Sequence, residues 1–264
     1  MKIISWNVNW IRAVAKKWLK DFVKDENPDI LCLQETKAFE AQFLKEVWEL
    51  EWYKYIWHSG ERAWYAGTVI FYKNDIEVVN TKNHFEWRDH LHTDGRLTEI
   101  EYIKDWKNTV LLNGYYPNGW TRADGTEMVT YKLKFYDDII EYSNDLVYQG
   151  KNVILTWDLN IVHTEIDIAR PKENQKTIWF LPIEREKVTE LLDNWYIDTF
   201  RHLYPEQLDT YSWWSVRAGA RPRNVWWRID YFVVNKDSID TVEDITYMTE
   251  TLWSDHCPVM IKLK

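Results

Sequence analysis

The stretch Val153–Val162, VILTWDLNIV, decides how this chain is read. Asp158 and Asn160 stand inside an otherwise apolar run, and Gly150 bounds it upstream, as expected of a buried strand. Side chains alternate along a strand, so a carboxylate and an amide two residues apart at its end project to the same side. Burying them costs several kcal/mol unless they find partners. A polar pair closing a strand into a turn would explain one such site. The pattern recurs, however, at the ends of other apolar runs: Asn7 and Asn9, Glu35, Tyr115 and Asn118, Asp230, and Asp255 with His256. Each has an ordinary explanation, Glu35 opening a helix, Asn118-Gly119 making a turn, His256 satisfied in a core. Together they are what a site at one rim of a sheet sandwich requires.

Around this stretch the spacing predicts strands over Lys2–Val8, Asp29–Leu33, Thr68–Tyr72, Ile76–Val79, Thr98–Tyr102, Thr109–Leu112, Tyr211–Ser215, Asp230–Val234 and Val259–Leu263. Helical spacing covers Arg12–Lys24, Ala38–Leu50, Val129–Tyr148 and Glu186–Leu192, and the polar Asp167–Glu184 reads as a long ordered loop. No linker, low-complexity run or fixed-period repeat divides residues 1–264, so one domain is expected, with strands dominating its interior. The net charge of -9 does not suggest a nucleic-acid binder, although a local basic stripe beside a cation-binding pocket would serve. Such stripes exist at Lys16-Lys17 and Arg217–Arg228. Cys32 and Cys257 lie in apolar strand contexts and read as buried free thiols. Neither a signal peptide nor a membrane-spanning run is apparent, so a cytoplasmic protein is expected.

Carboxylates and amides without cysteine ligands favour a hard divalent cation, Mg²⁺ or Mn²⁺, over zinc. There is no glycine-rich phosphate loop and no G-x-S-x-G elbow. Metal-assisted hydrolysis of a phosphate ester is the best match to this inventory.

The blocks SWNVN (5–9), DILCLQETK (29–37), NGYYPNG (113–119), TWDLNIVH (156–163), DIARPKEN (167–174), FLPIER (180–185), WRIDYF (227–232) and SDHCPV (254–259) run the length of the chain. In them the chain resembles the exonuclease III family of abasic-site endonucleases, within the endonuclease/exonuclease/phosphatase superfamily. The resemblance implies an α/β four-layer sandwich, two mixed β-sheets face to face with helices outside. It implies Mg²⁺ (or Mn²⁺) held by Glu35 with Asn7 and Asp255, and Asp158 with Asn160 handling the attacking water or the leaving group. His256, held by Asp230, would polarise the scissile phosphate, and Tyr115 would hydrogen-bond it. Trp213, Trp227 and Ile229 would form a pocket for a flipped-out abasic sugar. Arg12, Tyr65, Asn118, Asn174 and Arg221 would grip the DNA backbone without reading sequence. The implied partner is double-stranded DNA bearing abasic sites or 3′ ends, cut by a monomer 5′ to the abasic site, with 3′→5′ exonuclease or 3′-phosphodiesterase action. The alternatives are a nonspecific nuclease or other phosphodiesterase of the superfamily, or, if tryptophans at the family's glycine positions are real, a non-catalytic DNA-binding homologue.

Two counts are abnormal: glycine is 8 of 264 and tryptophan 18. Several tryptophans stand where the family pattern has glycine: Trp10, Trp157, Trp179, Trp195, Trp226 and Trp253, with Trp18, Trp52, Trp64, Trp106 and Trp120 as further candidates. Counting these eleven as glycine restores the usual ~7%. The expectation is a gene whose UGA codons mean glycine in its host, with indoles at Trp157 or Trp253 crowding the metal pocket if tryptophan is real. Trp6, Trp213, Trp214 and Trp227 fall where the family itself is aromatic.

Overall fold

Lys2–Asn7 (β1), KIISWN, is buried from Ile3 onward on both faces, and that sets the architecture: such a strand must be sandwiched. The computed structural model describes residues 1–264 except 17, 47–49, 51, 63, 86–93 and 216–218. The other strands are Ile30–Gln34 (β2), Tyr53–His58 (β3), Thr68–Lys73 (β4), Val78–Lys82 (β5), Leu97–Lys104 (β6), Lys107–Tyr115 (β7), Asn152–Asp158 (β8), Tyr196–Asp198 (β9), Asp230–Asn235 (β10), Val242–Tyr247 (β11) and Val259–Leu263 (β12). They form two mixed six-stranded sheets, ordered β11-β12-β1-β2-β4-β3 and β5-β6-β7-β8-β10-β9. Parallel β1–β2 and β7–β8 pairs lie at the centre of each, flanked by antiparallel neighbours.

Between the sheets Ile3, Ile30, Cys32 and Ile70 of the first meet Ile100, Leu111, Ile154 and Phe232 of the second. The outer face of the first sheet packs on helices Ile11–Ala15 (α1) and Leu19–Glu26 (α2) through Val14, Leu19 and Phe22. That of the second packs on Val129–Tyr148 (α4) and Pro182–Asp193 (α6), counting Glu40–Glu46 as α3 and Pro171–Asn174 as α5. Buried Phe135, Ile139 and Leu146 give α4 its apolar stripe. Helix, sheet, sheet, helix: the four layers are those expected. No helix among the described residues is long and apolar enough to cross a membrane.

Several expectations are corrected. The helix expected over Arg12–Lys24 breaks between Ala15 and Leu19, and α2 ends at Asn27 in the left-handed conformation, ahead of Pro28. The helix expected over Ala38–Leu50 is seen as α3, with 47–49 outside the described residues. Tyr211–Ser215 is no strand; Trp213 makes isolated bridges with Trp227 and His256. The loop over Asp167–Glu184 contains α5, and α6 starts at Pro182, where proline's missing N–H is harmless. Residues 17 and 217 of the two basic stripes fall outside the described set.

A buried ion cluster fastens the irregular 167–174 segment to the second sheet. Asp167 accepts from Arg228 Nε (2.7 Å) and Arg201 Nε (2.9 Å), while Arg228 Nη2 donates to Asp198 (2.6 Å). Burial favours the neutral carboxyl, but the two guanidinium groups outweigh it and hold Asp167 well below the usual carboxylate range. Because the folded pKa is depressed, the stabilisation is present above the unfolded pKa of ~4 and is lost as pH falls below it. Asp167→Asn leaves Arg228 without charge compensation and is expected to destabilise the fold by about 3–5 kcal/mol at neutral pH. Urea unfolding at a series of pH values checks this: the gap between the two proteins should shrink below pH ~4.

Candidate active site

The ends of β1, β2, β7 and β8 and the start of β10 meet at one rim, and register fixes what stands there. Asp158, last in β8, lies opposite Asp230, first in β10, and beside Tyr115, last in β7. From the other sheet, Asn7 ends β1 and Glu35 follows β2. The Asn7 side-chain amide donates to Glu35 Oε1 (2.8 Å) and to Asp158 Oδ2 (2.9 Å), joining the two sheets across the rim. Its carbonyl accepts from the Asn9 N–H (2.9 Å).

Asp158 and Asn160 do come together, but through a turn rather than strand alternation. β8 ends at Asp158, Asn160 has φ 51°, and its N–H donates to Asp158 Oδ1 (2.9 Å). Asn160 Nδ2 donates to the Tyr116 carbonyl (2.9 Å). His256 sets Nδ1 2.8 Å from Asp230 Oδ2 and Nε2 4.0 Å from Asp158. Burial alone would lower the imidazole pKa, but Asp230, Asp158 and Asp255 overcome it and push His256 up to about 10. Burial, with Asp230 and Glu35 adding to it and His256 opposing, raises Asp158 above the usual carboxylate range. His256 thus faces the same small space as two acids.

Glu35, Asp158 and His256 offer donor atoms all within 4.8 Å of one another. Two buried or half-buried carboxylates converging with an amide, and no thiolate, fit a hard divalent cation. Lys37 Nζ lies 2.5 Å from Glu35 Oε2 and supplies a neighbouring positive charge. Asp255 stands slightly apart: its oxygens accept from Asn9 Nδ2 (2.9 Å) and Trp213 Nε1 (3.0 Å). Among the described residues it is not part of the three-residue group.

Trp213, Trp227 and Ile229 are gathered next to the rim, yet the space among them is filled. The Trp179 ring lies edge-on to Trp213 and Trp227, with centroids 4.9 Å and 5.6 Å away. The expected crowding of the metal pocket by Trp157 or Trp253 is not found. Trp157 points to the helix side of its sheet, against Tyr116, because it alternates with Asp158. Trp253 stacks on Trp18 at 5.3 Å, on the outer face of the other sheet.

The five residues expected to grip DNA are placed unequally. Asn118 is exposed beside the rim, its carbonyl accepting from Trp179 Nε1 (2.6 Å). Arg12 lies over the Trp64 ring at 5.9 Å. The Tyr65 hydroxyl accepts from Arg96 Nη2, and Asn174 Nδ2 donates to the Arg170 carbonyl (2.9 Å). Arg221 donates to the carbonyls of Ser254 and Thr249 (both 2.8 Å), bracing the loop that delivers Asp255 and His256.

Two supports were not singled out from the sequence. Arg96 is buried between the Tyr65 and Tyr115 rings and donates to the Tyr115 carbonyl (3.1 Å). Lys132 donates to the Asn160 carbonyl (2.8 Å) and to Glu184 Oε1 (2.6 Å), while Glu184 Oε2 accepts from the N–H of Trp179 (2.7 Å). No local pattern marks Arg96 or Lys132; the one available signal was Glu184 inside FLPIER.

A helix-flanked double sheet with buried acids and an aspartate-held imidazole at one rim defines a hydrolase of phosphate esters. The chain belongs to the Endonuclease/Exonuclease/phosphatase family, which matches residues 4–256. It is 39% identical over 264 residues to the exodeoxyribonuclease of Bacillus subtilis, covering 98% of each chain. It is 36% identical to the DNA repair nuclease APEX1 of Danio rerio, over 100% of this chain and 82% of that one. Its fold superposes on the AP endonuclease LMAP from Leishmania major with a TM-score of 0.89 at 29% identity, covering 100% of this chain and 87% of the other.

Asp230→Asn removes the charge that holds the imidazolium, so His256 should titrate well below about 10. In the wild type the raised pKa contributes stability that is fully present below the unfolded value of ~6.5 and is lost as pH rises through the folded one. NMR titration of the metal-free protein checks the shift; an unchanged His256 titration overturns the assignment of Asp230 as its partner.

Proposed function

We propose that this DNA-repair nuclease is a Mg²⁺-dependent phosphodiesterase that incises the backbone 5′ to abasic sites, with 3′-end trimming as a secondary action. The observation that carries the reading is the convergence of Glu35, Asp158 and His256 within 4.8 Å at a rim joining two sheets, in a chain of this family. The full-length likeness to an exodeoxyribonuclease and to a DNA repair nuclease supports DNA as the substrate.

Glu35 would hold the cation, assisted by Asn7 and by Asp255 across the rim. The ion would supply Lewis-acid stabilisation of the phosphate's developing charge. Asp158 would accept the proton of an attacking water, its Oδ1 held by the Asn160 backbone N–H. His256, anchored on Asp230 through Nδ1, would present Nε2 to the phosphate and stabilise charge there. Tyr115, fixed by Arg96, adds a hydroxyl donor. Arg12, Tyr65, Asn118 and Asn174 would meet the sugar-phosphate backbone, and Trp213, Trp227 and Ile229 the extruded abasic sugar. One observation favours a second reading, a phosphodiesterase without abasic preference: Trp179 packs into that apolar pocket.

The test is incision of a duplex carrying one abasic analogue, with Mg²⁺ and with EDTA. Cutting should require the cation. His256→Asn or Asp158→Asn should lower kcat by about a hundredfold or more with duplex affinity retained. EDTA-resistant cutting, or full activity in both variants, would sink the proposal. Cleavage of intact duplex at the same rate would select the second reading.

A further inference from the structure

Five tryptophans, Trp10 (φ 122°), Trp64 (64°), Trp106 (65°), Trp179 (81°) and Trp195 (78°), have backbones at positive φ. A bulky side chain there is a genuine outlier, because its Cβ clashes with the neighbouring carbonyl, whereas glycine enters the region freely. Most other non-glycine residues there are Asn or Asp, or belong to the rim itself, as Glu35 and Lys37 do. None of Trp6, Trp57, Trp213, Trp214 and Trp227 is among them.

The side chains add a second observation on partly different residues, although Trp179 does donate its indole N–H, to the Asn118 carbonyl (2.6 Å). Trp6, Trp57, Trp213 and Trp214 each donate their indole N–H, to the His256 carbonyl (3.3 Å), Ser59 Oγ (2.8 Å), Asp255 (3.0 Å) and Asn224 Oδ1 (3.2 Å). Trp157 and Trp226 bury theirs with no hydrogen-bond partner among the described residues, an arrangement folded proteins avoid. Trp106 is 99% exposed and Trp52 75%, in turns where an indole touches little. The Trp10 backbone N–H donates to the Glu35 carbonyl at the rim (3.0 Å).

We infer that positions 10, 64, 106, 179 and 195 are glycine in the working protein, encoded by UGA triplets that its host reads as glycine, and that Trp18, Trp52, Trp120, Trp157, Trp226 and Trp253 share this origin. UGA is one base from the glycine codon GGA, and codes that read UGA as tryptophan yield the indoles. The consequence is largest at 179. With a hydrogen in place of that indole, the Trp213 and Trp227 rings would lose the ring packed against them, Trp213 itself lying 6.4 Å from the His256 ring. Position 179 then decides whether the pocket admits a sugar. This last step rests on the abasic-site reading; the glycine assignment does not.

The test is peptide mass spectrometry of the protein isolated from the organism that encodes it. The tryptic peptide Ile3–Arg12 contains both Trp6 and Trp10, and it should carry one tryptophan and one glycine. Peptides across 64, 106, 179 and 195 should carry glycine, and those across 57, 213 and 214 tryptophan. Tryptophan at the five positions overturns the inference. Independently, the recombinant chain with Trp→Gly at all five should unfold at a higher temperature than the chain with tryptophan; a lower midpoint also overturns it. Trp179→Gly alone should raise abasic-analogue incision at least tenfold. If the native peptides carry glycine and incision does not move, the pocket reading fails while the glycine assignment stands.

Discussion

The constraint on which the rest depends is the burial of acids between two sheets whose strands, among the described residues, do not pair with one another. Asn7 answers it at the rim, one amide serving Glu35 from its own sheet and Asp158 from the other. A layer deeper, Gln34 Nε2 donates to Ser5 Oγ (2.8 Å) and to Asn113 Oδ1 (2.7 Å), and Asn113 returns a bond to the Leu33 carbonyl (3.1 Å). These side chains pin sheet to sheet with directional bonds, where apolar packing alone would tolerate sliding. The separation of Glu35 from Asp158 is therefore set by the register of strands, and the site inherits the rigidity of the core.

Much of this was legible because polar residues at the ends of apolar runs have few uses, and several such ends can be reconciled only at one rim. Asp158, Asp230 and His256 were found that way, and α4 and β12 have the bounds their periodicity gives. What could not be read were groups whose meaning is made by distant partners. Arg96 is an ordinary charged residue until Tyr65 and Tyr115 close over it. β9 is three residues long and exists because β10 offers it an edge, so it has no period to detect. Trp213 looked like part of a strand, but its neighbours are Trp227 and His256 through isolated bridges, a tertiary arrangement that no local spacing encodes.

The tryptophans carry a similar lesson. Their excess was visible in composition, but the consequence first expected, crowding at the metal by Trp157 or Trp253, ignored the faces on which those side chains fall. Residue 157 alternates with Asp158 and must point to the helices. The indole that packs against Trp213 and Trp227 beside the rim is Trp179, delivered by the loop that Lys132 and Glu184 tie to the Asn160 carbonyl. That ion pair is wholly buried, and burial outweighs Glu184 in drawing Lys132 down to about 8. A charge pair held at such a desolvation cost is consistent with fixing geometry rather than adding stability.

Backbone strain separates the two kinds of unusual residue. Glu35 is itself left-handed at φ 50°, and its surroundings over-determine it: its carbonyl accepts from Trp10, Thr36 N–H donates to Gly67 (3.1 Å), and Lys37 N–H donates to Ala66 (2.8 Å). Gly67 is required there, since a Cβ would stand 2.1 Å from Thr36 Oγ1. The left-handed turn at Glu35 carries its carboxylate out of the strand and onto the Asn7 amide that also serves Asp158. At Trp106, nearly all of whose surface faces solvent, no contact compensates the same distortion. Strain of order 1–3 kcal/mol per residue persists where surrounding structure enforces it and function uses it. Surrounding hydrogen bonds enforce the conformation at Glu35, whereas nothing comparable encloses the exposed turn at Trp106, whose backbone is one that suits glycine.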